Sequence, residues 1–588
     1  MKLNKILMAT AVVFAAVAFT GCIKEVFPKE SAITESQLGE SNVGVESMLK
    51  SIPSAMASTY AYGYGHSDFG YHSIGVHKDA HAMLIVPCVM VERGGNPMYS
   101  WPASPAYGYG MSTNGSYTHY LWYNYYPFIK KANDVIAVIN PETEDKAMQQ
   151  YLGIARAFRA LFYLDMVGYY DSLPSYAPEI PGYNDDVKKI EGLIVPIVTE
   201  ATTEDEAKKN PRAKREDMFK FIFEDLKFAE ESLADFETTT PVYPELPAIY
   251  GMYARAYMWL GQFEEGIYSN IAVQEDDKTV YPYELVLTGE AAYKKALYYA
   301  EESIKLANVP VMTREQWSST TTGFNTVVPA WIWSTMMSSD TVLNNLLAFV
   351  AHMSPEASYG YGPHAGHGVS KNMYDRLSDT DIRKKLIAGP DKTYDQFQRY
   401  TTMPRDEWEA FVWKAPYVNF KFRPNQGERV DYMLANAISL PIMRIEEMYF
   451  IAMEAKALTG DLAGAKKDLK AFMDNRADIY NAEIYSDAVT LVEEIIFQKS
   501  IEFWGEGPVL FDMKRLNMGV NTVNQNYPAD LLFETPGTMP ILEDDGQTYQ
   551  RLPWWNTPIP SSETAVNTET KDTAGPDPSR GVKSQDSI

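Results

Sequence analysis

Apolar residues recur at spacings of three and four along much of the chain. In REDMFKFIFEDLKFAEESL, the residues Met218, Ile222, Leu226, Ala229 and Leu233 fall on one stripe, which predicts an amphipathic helix. YKKALYYAEESIKL repeats the pattern. Strict alternation is rare and short. VVPAWIWS, with Trp331 and Trp333 two residues apart, predicts one short strand whose indole pair faces the core. The expected fold class is therefore mainly α, with two long loop-rich insertions at about 60–120 and 310–440.

Two stretches carry the helix-turn-helix grammar of tetratricopeptide units. MYFIAMEAKALTGDLAGAKKDL places Ala455, Leu458, Gly460 and Ala465 where small residues let paired helices approach and a glycine closes the first helix. YGMYARAYMWLGQFEEGI does the same with Ala256, Leu260 and Gly261, and predicts a second helix directly after Gly261. YLGIARAFRALFYLDMVGYYDSLP is a looser third case. A regular 34-residue period is absent, which excludes a plain solenoid.

The N-terminus changes the picture of where such a fold would work. Lys2 and Lys5 precede a run of about fourteen mostly apolar residues, Ile6 to Phe19, too short for a bilayer span. FTGC follows, so residues 1–21 are expected to be a lipoprotein signal peptide with Cys22 as the lipid-bearing residue of a bacterial protein. Residues 22–41 read as a polar tether, 42–567 as one helical-repeat domain with a loop-rich ligand face, and 568–588 as a polar, disordered tail. The other cysteine, Cys88, lies in the apolar run LIVPCVMV and reads as a buried small hydrophobe. No disulfide is expected, so the core alone must hold the fold. The formal charge is −25, which opposes nucleic acid and anionic headgroups as partners.

Aromatic usage points to a ligand class. Tyr numbers 40, against 25 Phe and 11 Trp, and tyrosine is the ring that tolerates water. AYGYG at 61–65 and 106–110, with SYGYG at 358–362, alternates Tyr with Gly in loops; Tyr62/Tyr64, Tyr107/Tyr109 and Tyr359/Tyr361 could each present two rings on one side. Most tyrosines must still pack between helices. The loop GGNPMYSWPASPAYGYGMSTNGSY offers Tyr99, Trp101, Tyr107 and Asn114 as sugar contacts, and REQWSSTTTGFNT offers Trp317 and Phe324. HKDAH sets His77 and His81 four apart with His72 nearby, but Lys78 stands where a zinc protease needs Glu; His364 and His367 sit in a Gly-rich loop. No metal and no cofactor is expected, and no Walker loop, dinucleotide fingerprint or nucleophile elbow is present.

Six stretches in order resemble the SusD/RagB-type surface lipoproteins of Bacteroidetes. They are LWYNYYPFIKKANDVIAVI with Asn133, GIARAFRALFYLDMVGYYDSLP, ASYGYGPHAGHGVSKNMYDRLSDTDIRKKLI, LPIMRIEEMYFIAMEAKAL with Arg444, Glu447 and Glu454, IEFWGEGPVLFDMKRLNMG, and LPWWNTPIPSSETAVN. The resemblance implies a SusD-like fold of tetratricopeptide-like helix pairs and a role without chemistry. The protein would capture oligosaccharide and pass it to a TonB-dependent SusC-like transporter in the outer membrane, facing the cell surface on its lipid. It also implies that Glu502, Glu506, Asp512, Lys514 and Arg515 are structural, pairing with each other or capping helices. A surface glycoside hydrolase and a peptide or glycoprotein receptor are the competing functions, since a family pattern does not fix the ligand.

Overall fold

The computed structural model describes residues 41–57, 60–61, 67–68, 70–87, 111–175, 180–269, 273–275, 278–280, 286–339, 348–360, 367–412, 417–519 and 551–578. Its long helices are α1 (Asn42–Ala57), α2 (Tyr71–His81), α3 (Ser116–Val138), α4 (Lys146–Tyr170), α5 (Arg215–Ser232) and α6 (Leu246–Leu260). They continue with α7 (Glu290–Ala307), α8 (Ile445–Leu458), α9 (Leu462–Met473), α10 (Ala488–Glu502) and the short α11 (Val509–Arg515). Helix α4 packs on α3 and α5, α6 on α7, α7 on α8, and α8 on α9 and α10. This serial stacking of helix pairs is the tetratricopeptide-like, mainly α fold expected from the sequence.

Local chemistry explains the helix ends. Asp145 caps α4 by accepting from the N–H groups of Ala147 and Met148. Gly460, at φ +92°, turns the chain out of α8, and the Asp461 carboxylate caps α9 by accepting from Gly464 N–H. On α5 the predicted stripe of Met218, Ile222, Leu226, Ala229 and Leu233 is wholly buried. A Cβ on Gly261 would sit 2.3 Å from the Tyr293 ring, so the absence of a side chain lets α6 and α7 close on one another.

Three expectations are corrected. After Gly261 the chain forms a two-stranded ribbon, Gly266–Ser269 against Val286–Thr288, before α7 begins at Glu290. The ends of this insertion meet, with Gly289 N–H donating to Leu260 C=O, so the helix pair survives around it. The insertion at 60–120 contains α2, whose residues His72 to His81 are all buried; a helix covered on every side shows no stripe to read. The start of the expected tail is ordered too. A 3-10 helix spans Thr568–Thr573, Thr570 is buried, and Arg212 donates to Thr573 C=O. Polar composition did not prevent docking because these residues satisfy partners in the body of the fold.

Strands β1 (Trp331–Met336) and β2 (Ser439–Arg444) pair antiparallel, and Trp331 and Trp333 are both core residues. Four two-residue strands add a small sheet in the order Ile387–Ala388, Val418–Asn419, His367–Gly368, Val86–Pro87. No helix among the described residues is long and apolar enough to cross a membrane.

Candidate functional site

The β1–β2 ladder brings two loops together. Beyond its ends, Met337 N–H donates to Ile438 C=O at 2.8 Å and Ser439 N–H to Asn325 C=O at 2.9 Å. The loop leading into β1 is thereby held against the loop leading into β2. Asn325, buried between them, donates through Nδ2 to the carbonyls of Thr321 (2.9 Å) and Pro424 (2.8 Å), tying both loops with one amide. A third segment joins them: Ser358 donates through its N–H and its hydroxyl to Arg429 C=O, at 2.8 and 2.6 Å. This places Tyr359 beside Tyr432, ring centroids 6.2 Å apart at 56°.

The loops are held in unusual backbone conformations. Phe324 has φ +49° and Gln426 φ +52°, left-handed values that are strained for side chains of this size and persist only where the surroundings impose them. The restraint at Phe324 is its ring, which packs edge-on against Trp317 at 4.6 Å with the Lys421 ammonium 4.6 Å from its centroid. Trp317 and Phe324 were expected to contact ligand. They are 1% and 0% exposed and belong to the core instead. The apolar members of REQWSSTTTGFNT anchor the turn from inside, and Thr321, Thr322 and Thr326 are left facing outward.

The charges on this face are spent on holding it. Glu428 accepts from Asp431 and Val430 N–H, and these bonds hold its carboxyl below the ordinary glutamate range. Asp431 caps the short helix Tyr432–Ala435, and Arg429 pairs with Glu407. The groups left to a ligand are neutral: two tyrosine rings, the exposed Gln426 amide, threonine hydroxyls, and the aliphatic Val430, Met433 and Leu434, which are 74%, 41% and 52% exposed. Tyr432 and Gln426 were missed by the sequence reading. The turn signal in NQGERVDYML, Asn-Gln-Gly followed by Tyr, was available to find them.

The remaining candidates divide. Asn114 is exposed and accepts from the Ser561 hydroxyl at 2.5 Å, so it meets the C-terminal segment and not the Tyr359 face. Tyr99, Trp101, Tyr107 and Tyr361 lie outside the described residues, as do Tyr62, Tyr64, Tyr109, Cys22, Cys88 and His364. His77 and His81 are buried on α2 and pack on Tyr117 at 4.9 and 4.5 Å. Burial pushes the His72 and His367 imidazoles down to about 3. Among the described residues no three His, Cys, Asp or Glu side chains gather as a metal site.

The signature charges form a buried lattice. Glu502 lies at the centre, accepting from Arg476 at 2.8 Å through both carboxylate oxygens, with Arg444 at 3.2 Å and Arg383 at 3.4 Å. Burial alone would raise its carboxyl, but the guanidinium groups, Arg476 foremost, hold it well below the carboxylate range. Arg444 also binds Glu506, and Lys421 reaches Glu506 at 2.5 Å. Arg515 bridges Glu454 at 2.5 Å and Asp512 at 2.8 Å, and Lys499 meets Asp512 at 2.7 Å. Glu447 pairs with Arg255 of α6. Asn133 accepts from Arg159 at 2.8 Å and donates to Val198 C=O. Lys514 takes the other expected role and caps a helix: its ammonium donates to the carbonyls of Gly168 and Tyr169 at the end of α4, and burial lowers it to about 7. Part of this lattice lines a cavity of about 100 Å³ whose walls also include the apolar Trp259, Phe503 and Phe511.

Residues 396–575 match the model of the SusD family. Solved structures share the fold over almost the whole chain. A SusD-like carbohydrate binding protein from Bacteroides vulgatus is 19% identical, with a TM-score of 0.64 over 90% of this chain and 98% of that one. A SusD superfamily protein from Bacteroides thetaiotaomicron is 17% identical, TM-score 0.61, with the same two coverages. A SusD-like carbohydrate binding protein from Bacteroides fragilis is 13% identical, TM-score 0.58, over 90% and 99%. No protein of curated function matches the sequence.

Proposed function

We propose that this chain, SusD/RagB-type in its fold and in the sequence of its residues 396–575, is a non-catalytic glycan-binding protein. One observation carries the reading: a neutral face of paired tyrosine rings, an amide and hydroxyls, mounted on loops that a buried ladder and ion lattice hold rigid. Rings stack on the C–H faces of a sugar, and the amide and hydroxyls bond to its hydroxyl groups. The solved relatives described as carbohydrate binding proteins support the same ligand class. The signature acids speak against hydrolysis by them. Glu502, Glu506, Asp512 and Glu454 are all engaged by cations and buried or nearly so, out of contact with the Tyr359 face. Tyr99, Trp101, Tyr107 and Tyr361 are proposed as further contacts; Asn114, held by Ser561, and the buried Trp317 and Phe324 are not.

Stacked rings contribute on the order of 0.5–1.5 kcal/mol each. Two or three rings, set against the cost of ordering a flexible oligosaccharide, place the dissociation constant in the micromolar-to-millimolar range, roughly −8 to −4 kcal/mol. Tyr432→Ala is expected to weaken binding about tenfold, roughly 1.4 kcal/mol, with an unchanged melting temperature. Calorimetric titration against oligosaccharides chosen from a glycan array checks this. Equal affinity of variant and wild type, or release of reducing ends by the wild type, would reject the assignment.

The finer reading is that Cys22 carries lipid, that the protein faces outward on the outer membrane, and that it passes its ligand to a TonB-dependent SusC-like transporter. The basic n-region, apolar run and FTGC motivate the anchor, and the family resemblance motivates the partner. Cys22→Ala should move the protein out of the membrane fraction and abolish its co-purification with an outer-membrane barrel. A variant that still fractionates with the membrane in detergent-sensitive form disproves the anchor.

A further inference from the structure

A second groove of about 580 Å³, which shares no lining residue with the Tyr359 loops, runs between residues 375–384, the end of α9 with the loop 477–485 after it, and the middle of α10. Its volume lies in the range typical of ligand sites, roughly 300–1,000 Å³. The floor is aromatic. The Arg376 guanidinium lies 3.6 Å over the Phe497 ring, and Tyr480 donates to Glu494 at 2.9 Å. Tyr485 stands half-buried on the wall. At the rim, Ile479 and Ile484 are 74% and 66% exposed, although the groove beside them could have covered them.

Charge decides which ligand this groove suits. The lining counts four acids, each beside a cation: Asp375 with Lys371, Asp379 with Lys384, Asp381 with Arg383, which Glu502 shares, and Glu494 with Arg376. With these partners included the groove is neutral, so a basic peptide gains nothing from it and an anion gains nothing either. What it presents is a dense set of donors and acceptors, among them the outward Asp379 carboxylate, the Asn481 amide and the half-exposed Arg376, beside ring and aliphatic surface. An uncharged ligand with hydroxyl groups on an apolar frame satisfies both kinds of surface at once.

We propose that this groove is a second glycan site, taking a neutral oligosaccharide segment, so that one chain can be held at two places. The proposal rests on the glycan-binding reading above and extends it to a separate surface. Two weak sites on one ligand act through effective concentration, and the combined affinity exceeds either alone.

Affinity electrophoresis tests it, in native gels that carry soluble starch, xylan, galactomannan or levan. Ile484→Asp changes an exposed position, and Tyr485→Ala a half-buried one that packs on the edge of the core, so the two variants control for one another. The polysaccharide that retards wild type should retard each groove variant at least threefold less, and the Tyr432→Ala/Tyr485→Ala pair not at all. In Tyr432→Ala alone, oligomers of that polysaccharide should slow amide exchange across residues 479–485. Groove variants that migrate like wild type, with no slowing at 479–485, overturn the second site and leave the Tyr359 face standing. Wild type retarded by none of the four gels overturns both.

Discussion

Glu502→Ala is expected to destabilise the protein by about 3–5 kcal/mol, the scale for removing one partner of a buried ion pair. Glu502 is fully buried and is the common acceptor of Arg476, Arg444 and Arg383. Arg444 keeps Glu506 and Arg383 keeps Asp381, but Arg476 would keep only Glu446 at 3.6 Å, an acid it shares with Arg444, and the Met312 and Asn475 carbonyls. Denaturant unfolding of the variant measures the cost, and a loss below about 1 kcal/mol would show that the lattice contributes little. A pH series adds the sign. The folded carboxyl sits below its unfolded value of about 4.3, so its stabilisation is present above that pH and disappears as pH falls through the folded value. Wild type should therefore lose stability more steeply than Glu502→Ala below about pH 4.

Gly507→Ala should cost a comparable amount by a different route. Gly507 has φ +87°, where a Cβ is strained by about 1–3 kcal/mol. That Cβ would also stand 2.6 Å from the Cα and the carbonyl oxygen of Gly75 in α2, and backbone cannot step aside as a side chain can. Overpacking of this kind adds about 1–3 kcal/mol. Gly75→Ala separates the two causes. Its Cβ would meet Glu506 C=O at 2.6 Å from within a helix, so it carries the clash without the conformational strain. Thermal melts should rank Gly507→Ala below Gly75→Ala and both below wild type; a Gly507→Ala protein that melts with wild type refutes the account.

The sequence disclosed those elements whose burial is one-sided. The α5 stripe could be read because solvent takes the other face, and the α8–α9 turn because Gly460 and Asp461 act locally. Helix α2 could not, since burial on all sides erases the period. Charge partners followed the same division. Membership of Glu502, Glu506, Asp512 and Arg515 in a buried set was legible, but Arg476 and Arg383, which complete it from elsewhere in the chain, were not. For Lys514 a capping role was open, but the helix it caps, α4, lies some 345 positions away and no side-chain pattern announces it. At the ligand face, a Trp and a Phe among threonines looked like an exposed platform. They are the turn's anchor, and the rings that pair are Tyr359 and Tyr432, 73 positions apart and joined only by folding.

The C-terminal segment docks on the oldest parts of the molecule. Trp554 and Trp555 both donate to His81 C=O, across 473 and 474 positions, and Asn556 bonds to Leu173 through both ends of its amide. A ribosome delivers the chain from its N-terminus, so α2 and the end of α4 are made long before these partners exist. Until residues 554–556 emerge, the bonds they make to His81 and Leu173 cannot form. Contacts of such separation also close late because the intervening loop must first be ordered. Docking of this segment is thus a late step, closing the fold over helices that were made first.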